Sequence, residues 1–379
     1  MIIHGNCLEE MRKMEPNFIS AIVTDPPYGL SFMGKGWDHA IPGPEYWKEC
    51  FRIAKPGSFL LAMGGTRTFH RLTCAIEDSG FEIRDCISWL YGSGFPKSHN
   101  HFGIEGYGTA LKPAWEPCIL AMKPCDGTFK QNAEKWGQAG INIDGCRIGT
   151  EGATKRTHQS EYPKNENGSE DRSQHWARTG HNIKEISKGR WPANLILDEE
   201  AAQMLDEQSG TLTSGTLGAI SKKKNNQVYG KFAHANINAF PANSGGASRF
   251  FYCAKASSSE RNEGLEEFES ISNMRVNAPR LIENDKFNTK VKNHHPTVKP
   301  LKLMEYLIKL IKPPKNGILL DPFAGSGTTI LAAKRLGFDA IGIEKEAEYC
   351  EIAKARLANF QKKNIMTENK QLELFAKAG

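Results

Sequence analysis

Metal-ligand spacing, long apolar runs and a large surplus of one charge are all missing from this sequence. Nine cysteines stand among the 379 residues, yet no two form a CxxC pair, and several lie in apolar stretches, as Cys74, Cys86, Cys118 and Cys253 do. That pattern argues against a zinc site and for reduced thiols in a core, so no metal is expected. No apolar run approaches the roughly 20 residues that span a bilayer. Mean hydropathy is -0.50, which points to a soluble chain without membrane contact. Met1-Ile2-Ile3-His4-Gly5 leads straight into a short strand and lacks the charged and apolar regions of a signal peptide, so a cytoplasmic location is expected. A net charge of +6 makes no polybasic arm, although it permits a polyanionic partner. Internal repeats are absent too. What remains is 39% hydrophobic residues, enough for one large domain with an insertion or for two domains.

The first flank alternates strands and helices. Strand patterns cover Met1–Ile3, Ile19–Thr24, Ser58–Met63, Asp85–Tyr91 and Pro117–Met122. Helical periodicity covers Cys7–Met14, opened by Asn6 with Glu9 as its capping partner, then Glu45–Ala54 and Thr66–Asp78. From about Cys125 to His294 the long periodic segments disappear and Gly, Asn, Ser and Lys become frequent. Gly189–Asn194 and Arg249–Ala256 read as ordered islands there. After His294 the alternation returns: helix Leu301–Ile311, strand Gly317–Leu320, helix Thr328–Leu336, strand Phe338–Ile343 and helix Ala347–Phe360. Five strands before the middle and two after it make seven, too few on either flank to stand alone. An α/β fold with one mostly parallel sheet built from both flanks follows. The expected division is a catalytic half over 1–124, an inserted recognition region over 125–294, a cofactor half over 295–361 and a mobile tail over 362–379.

Leu319-Leu320-Asp321-Pro322-Phe323-Ala324-Gly325-Ser326-Gly327-Thr328-Thr329 carries a buried strand directly into a helix. Glycines at 325 and 327 let the backbone approach a ligand that side chains would exclude. Glu344 ends the next strand, about 20 residues on, where an acid typically accepts ribose hydroxyls. A dinucleotide fingerprint would want glycine where Ile330 stands, and the Gly-Lys-Ser/Thr of a P-loop is missing. No positive charge waits for a phosphate, which suits a nucleoside such as S-adenosylmethionine. The bland alternative is a tight strand–helix turn with an ordinary surface glutamate.

A second signal is Ala21-Ile22-Val23-Thr24-Asp25-Pro26-Pro27-Tyr28-Gly29, an apolar strand that stops at an acid and two prolines. The prolines cannot continue a ladder and fix the backbone. A rigid acceptor at a strand's carboxyl end suits an amine substrate: Asp25 accepts one amine hydrogen and the Pro26 carbonyl the other. Together they draw the nitrogen towards tetrahedral geometry and free its lone pair. Tyr28 offers a flat face for an extruded base. Alone, the motif also fits a proline-rich turn with a capping aspartate. In a doubly wound sheet, however, both motifs open onto one crevice.

These residues resemble the amino-methyltransferases of DNA, whose fold is a Rossmann-like sheet of seven strands. Acceptor motif first, variable region next and cofactor loop last is the order of the β class. Further pieces match: His295-Pro296-Thr297-Val298-Lys299-Pro300, Ile2–Leu8, Ser88-Trp89-Leu90, Phe95-Pro96-Lys97-Ser98 and Glu116-Pro117-Cys118-Ile119-Leu120. The middle islands are similar to phage and prophage versions. The resemblance implies S-adenosylmethionine as cofactor, bound by Asp321, Phe323, Gly325, Gly327 and Glu344, with Thr328 bonding the donor's carboxylate. His295, Thr297 and Lys299 would hold its methionine end. Asn6 replaces the family's usual aspartate and either contacts the donor's adenine or caps a helix. Asp25, Pro26, Pro27 and Tyr28 would carry catalysis. The implied activity is site-specific methylation of the exocyclic amine of adenine in DNA, as part of a restriction–modification system. Methylation of the cytosine amine, or a catalytically idle DNA-binding module, is the alternative. Asp25 favours adenine, because the cytosine motif usually begins with Ser.

Double-stranded DNA is the implied partner, and a homodimer is compatible with the resemblance. Lys222-Lys223-Lys224, with Arg156, Arg172, Arg178, Arg190 and Arg249, either holds phosphates or forms solvated loops. In the tail, Gln371-Leu372-Glu373-Leu374-Phe375 resembles the peptide with which bacterial replication proteins dock on the sliding clamp. It would hang on the polar tether Lys362–Lys370, or else pack back on the last helix.

Overall fold

In the computed structural model, residues 1–30, 38–94, 98, 103–138, 140–149, 189–214, 243–254, 260–269, 271–272, 290–295, 297–314 and 317–378 are described, the side chains of the last helix only as far as residue 365. Phe95–Lys97, Pro296, Lys222–Lys224, Arg156, Arg172 and Arg178 lie outside the described residues. The first flank contains β1 (Ile2–His4), α1 (Cys7–Arg12), β2 (Ile19–Thr24), α2 (Pro44–Ile53), β3 (Ala54–Met63), α3 (Phe69–Glu77), β4 (Glu82–Leu90), β5 (Trp115–Met122) and α4 (Phe129–Trp136). In the middle come β6 (Leu195–Asp198), α5 (Glu199–Ser209), β7 (Leu212–Ser214), β8 (Asn243–Gly245), β9 (Tyr252–Ala254), β10 (Ile271–Ser272) and β11 (Lys290–Val291). The second flank adds α6 (Leu301–Ile311), β12 (Ile318–Asp321), α7 (Thr328–Arg335), β13 (Asp339–Glu344) and α8 (Ala347–Ala378).

Both flanks build one sheet, in the order β1-β13-β12-β2-β3-β5-β4-β6-β9. Its seven flank strands are those expected. Two short strands from the middle, β6 and β9, lengthen it to nine, which the low periodicity of that region concealed. Every residue of β2 is buried, as is β3 from Gly57 onward, the continuous apolar pattern of strands covered on both faces. On one such helix, α2, Trp47, Cys50 and Ile53 are buried at three-residue spacing, and Pro44 starts the first turn where no amide donor is needed. Helix α6 is apolar nearly all round and correspondingly buried, from Leu301 to Ile311.

Strand direction decides what meets at the site. Strands β1, β13, β12, β2 and β3 run parallel, so their carboxyl ends share one edge of the sheet. Strand β5 runs antiparallel to both β3 and β4, so it begins at that same edge.

The chain divides into two compact units. The sheet unit comprises Met1–Gly145, Asn194–Ala201 and Cys253–Gly379; the second comprises Cys146–Ala193 and Ala202–Tyr252. The described residues of 125–145, 194–201 and 253–294, expected in the insertion, fall in the sheet unit. The described part of the second unit holds the hairpin β7–β8 and an Ile148–Arg190 bridge. Within it the guanidinium groups of Arg190 and Arg249 lie 4.7 and 4.4 Å from the Phe250 ring centre. Arg147 lies 5.3 Å from the ring centre of Trp191, a largely exposed side chain.

The expected mobile tail is also different. Helix α8 does not stop near Phe360 but runs to Ala378. Gln361–Lys370 contains no Gly or Pro, and its Gln, Lys and Glu are good helix formers, so polarity alone does not end the helix.

Candidate active site

A cleft of about 1520 Å³ opens within the sheet unit at the shared strand edge. Strand β2 delivers Asp25, Pro26, Pro27 and Tyr28 to it, and β12 delivers Asp321, Phe323 and Gly325. Glu344 arrives from β13, Asn6 from the turn after β1, Thr328 from the start of α7, and His295, Thr297 and Lys299 from the segment before α6. Of the candidate catalytic and cofactor-binding residues read from the sequence, only Gly327 does not line the cleft.

The acceptor turn is pinned by its neighbours. Asp38, 2% exposed, accepts the backbone N–H groups of Tyr28, Gly29 and Leu30 at 2.7, 2.9 and 3.3 Å. Thr68 Oγ1 donates to the Tyr28 carbonyl at 2.7 Å. A Cβ on Gly65 would stand 3.1 Å from the Tyr28 ring, so glycine there makes room for the aromatic face.

Four polar side chains then form one network. Lys299 Nζ donates to Asp25 Oδ2 at 2.7 Å and to the Tyr28 hydroxyl at 3.0 Å, and stands 3.3 Å from Glu116 Oε2. The Tyr28 hydroxyl is 2.8 Å from Asp25 Oδ1 and 3.0 Å from Glu116 Oε2. Burial pushes the Asp25 carboxyl above the usual carboxylate range; the Lys299 ammonium pulls it back and the Glu116 carboxylate pushes it up again. Lys299, though buried, is held strongly protonated by the two carboxylates. It was expected with the donor's methionine end, and its ammonium lies on the acceptor carboxylate. Glu116 was legible only as part of a matching segment, because its reach depends on the antiparallel direction of β5.

Around the glycine turn the backbone is stitched tightly. Asp321, 1% exposed, accepts from Thr24 Oγ1 at 2.7 Å and from the Phe323 amide at 3.0 Å, joining β12 to β2. Burial raises its carboxyl to about 6. Glu344 accepts the amides of Gly325 and Glu346, each at 2.7 Å, and burial raises its pKa as well. A carboxylate offers about four lone-pair sites, so further acceptor capacity remains for hydroxyls. Gly325 takes φ +50, and a Cβ there would meet His295 Nε2 at 2.8 Å. His295 packs edge-on against Tyr349 at 4.5 Å, and burial lowers its pKa to about 3, so the ring is neutral.

Two of the expected cofactor residues have partners within the fold. Gly327 has φ +79, and a Cβ would meet that of Ala353 at 2.8 Å, so the turn and its packing on α8 both require this glycine. The Thr328 hydroxyl oxygen accepts from Arg356 at 3.0 Å, and the same nitrogen donates to the Ser326 carbonyl at 2.7 Å. Arg356 is 2% exposed, and nothing in the apolar pattern of α8 marks it in the sequence. Asn6 caps α1 by accepting the Leu8 amide at 3.0 Å while lining the cleft.

Residues 19–355 match the sequence model of the family described as DNA methylase. The chain belongs to that family. A Type II methyltransferase, M.HindIII of Haemophilus influenzae, is 46% identical over 397 aligned positions, covering 94% of each chain. The Type II methyltransferase M2.LlaDCHI of Lactococcus lactis subsp. cremoris is 54% identical over 63 residues, 17% of this chain and only 23% of that protein. Among solved structures, PvuII DNA methyltransferase (cytosine-N4-specific) is 16% identical with a TM-score of 0.46, covering 94% of this chain and 85% of its own. The M1.HpyAVI–SAM complex is 20% identical with a TM-score of 0.41, covering 94% and 98%.

Proposed function

We propose that the protein is a site-specific DNA methyltransferase that uses S-adenosylmethionine to methylate the exocyclic amine of adenine. One observation supports this most directly: β12 and β2 are paired neighbours, so the glycine turn and the acceptor turn open side by side into one cleft. Its volume exceeds the roughly 300–1,000 Å³ of single small-ligand sites, as holding a nucleoside donor and an extruded base together requires. The residues fit that donor: backbone-lined space at Gly325, the Glu344 acid, the Phe323 ring and no phosphate-binding cation in the turn. Phe323, Gly325, Thr328 and Glu344 would hold it, with His295, Thr297 and Asn6 at the rim; when bound it supplies a methyl group on an already activated sulfonium.

The chain's own work is on the amine, whose lone pair is delocalised into the base. Asp25 accepts one amine hydrogen and the Pro26 carbonyl, fixed by Pro27, accepts the other, which localises the lone pair for attack. The Tyr28 ring stacks on the extruded base. Asp25, rather than serine, favours adenine over cytosine. The second unit, with Trp191, Arg147, Arg190 and Arg249, is assigned to double-stranded DNA. Two protein partners belong to the same reading: a second copy of the chain, and a sliding clamp met through Gln371–Phe375.

Sequencing modified bases in DNA from cells expressing the protein tests this, and N6-methyladenine within one short sequence is the expected result. N4-methylcytosine instead would move the assignment to the cytosine amine. Unmodified DNA, with binding intact, would leave an idle DNA-binding module.

A further inference from the structure

We propose that Lys299 is a positioning residue for the acceptor carboxylate. Its ammonium fixes Asp25 and, balanced against Glu116, sets the pH above which Asp25 can accept an amine hydrogen. The meaning of this inference rests on the proposed function, but its test does not.

The geometry carries the argument. Lys299 has three N–H donors, and three acceptors surround it: Asp25 Oδ2 at 2.7 Å, the Tyr28 oxygen at 3.0 Å and Glu116 Oε2 at 3.3 Å. With its oxygen accepting from Lys299, the Tyr28 hydroxyl has one hydrogen to donate, and Asp25 Oδ1 at 2.8 Å is the nearer of its two carboxylate acceptors, Glu116 Oε2 standing at 3.0 Å. Each Asp25 oxygen is thus anchored by one donor and keeps lone-pair capacity for a substrate hydrogen. The Lys299 side chain is only 9% exposed, against 17% for Asp25 and 22% for Glu116, so water screens these charges weakly. A lone carboxylate at this depth would take up a proton and become a donor at one oxygen. The ammonium opposes that, and Glu116 works the other way as a like charge.

Other groups face the network without replacing this balance. Asp321 lies at the end of β12 and Cys118 on β5, both within electrostatic range of Asp25. Tyr91, beyond β4, senses Glu116 and Lys299. His295, neutral beside Lys299, brings no charge of its own.

The experiment follows the carboxyl directly. Full-length protein carrying ¹³C at the aspartate carboxyls, without donor or DNA, is titrated by NMR, and the Asp25 signal is assigned by its loss in Asp25→Asn. Lys299→Met should move the Asp25 midpoint upward by about one unit or more, whereas Glu116→Gln should move it downward. Lys299→Arg, which keeps the charge, should leave it near the wild-type value. In single turnover, the acid limb of the Lys299→Met rate profile should shift to higher pH, with activity returning as pH rises. A purely structural loss would instead lower the rate equally at every pH.

Midpoints that stay put in both Lys299→Met and Glu116→Gln, or that move in the same direction, overturn the proposal. Should Lys299→Met not fold, the Glu116→Gln midpoint decides alone: a downward move supports the proposal and no move overturns it. A wild-type protein that methylates neither base fails the proposed function while leaving these midpoints readable, so the two failures are distinct.

Discussion

A carboxylate that must accept hydrogens from a neutral amine is useful only while ionised, and Asp25 stands where burial works against ionisation. Asp25→Ala should therefore lower the single-turnover rate of methyl transfer by at least about 100-fold, the scale of losing a preorganised electrostatic partner. Affinity for S-adenosylmethionine, measured by calorimetry, should stay nearly unchanged, because Asp25 is assigned to the amine and not to the donor. Substantial residual turnover would remove it from the mechanism. At this scale the sequence was legible where chemistry is local: Asp25 to Tyr28, and Asp321 to Thr328, are contiguous runs whose backbone demands are visible in Pro and Gly. Lys299 and Glu116 were not legible as partners. They lie 274 residues and 91 residues along the chain from Asp25, and only the folded sheet brings them to it.

Among the elements, the glycine turn shows why spacing alone misassigns a role. Both glycines are left-handed, but Gly325 abuts His295 in the cleft whereas Gly327 abuts Ala353 on α8. Gly327→Val should accordingly cost stability, roughly 1–3 kcal/mol from backbone strain before any clash is counted. Urea unfolding would register this as a lowered midpoint, and a stable variant that merely lost donor affinity would return Gly327 to the ligand. Element ends were the harder part of the reading. The strands of the flanks were foreseen, but the continuation of α8 to Ala378 was not, since polar residues of high helix propensity look like a tail until they are seen attached to a helix. That continuation bears on the clamp proposal, for a peptide docking in an extended form must first unwind the last turns. A labelled Lys370–Gly379 peptide, free of the helix, is expected to bind the host clamp saturably in the micromolar range and to lose binding in Leu374→Ala/Phe375→Ala. No binding at high clamp concentration would end that proposal.

For the molecule as a whole, the buried join between β12 and β2 gives stability a pH dependence. The Asp321 carboxyl titrates at about 6 in the fold, against 3.8 when free, so the folded chain keeps a proton that the unfolded chain has released. Its contribution is then full below the free value and is lost as pH rises through about 4 to 6, by up to about 3 kcal/mol for a shift of about two units. Asp321→Asn retains an acceptor oxygen for Thr24 and Phe323 yet cannot ionise. Its stability relative to wild type should improve across that window and then level off in urea melts repeated at several pH values. A difference that stays constant with pH would show that Asp321 ionises no less easily when folded. The same join has a consequence for synthesis. Strand β1 pairs with β13, and β2 finds β12 only across a sequence separation of 297, as the Thr24–Asp321 bond records. A ribosome that has delivered the acceptor turn and everything up to α6 has not yet made the glycine turn or Glu344, to which the proposed function assigns most of the donor's contacts. On the proposed function, activity therefore arrives only after β12 and β13 have been made and have closed long loops onto β2 and β1, and a message cut short anywhere before Asp321 should yield an inert protein rather than a poor enzyme.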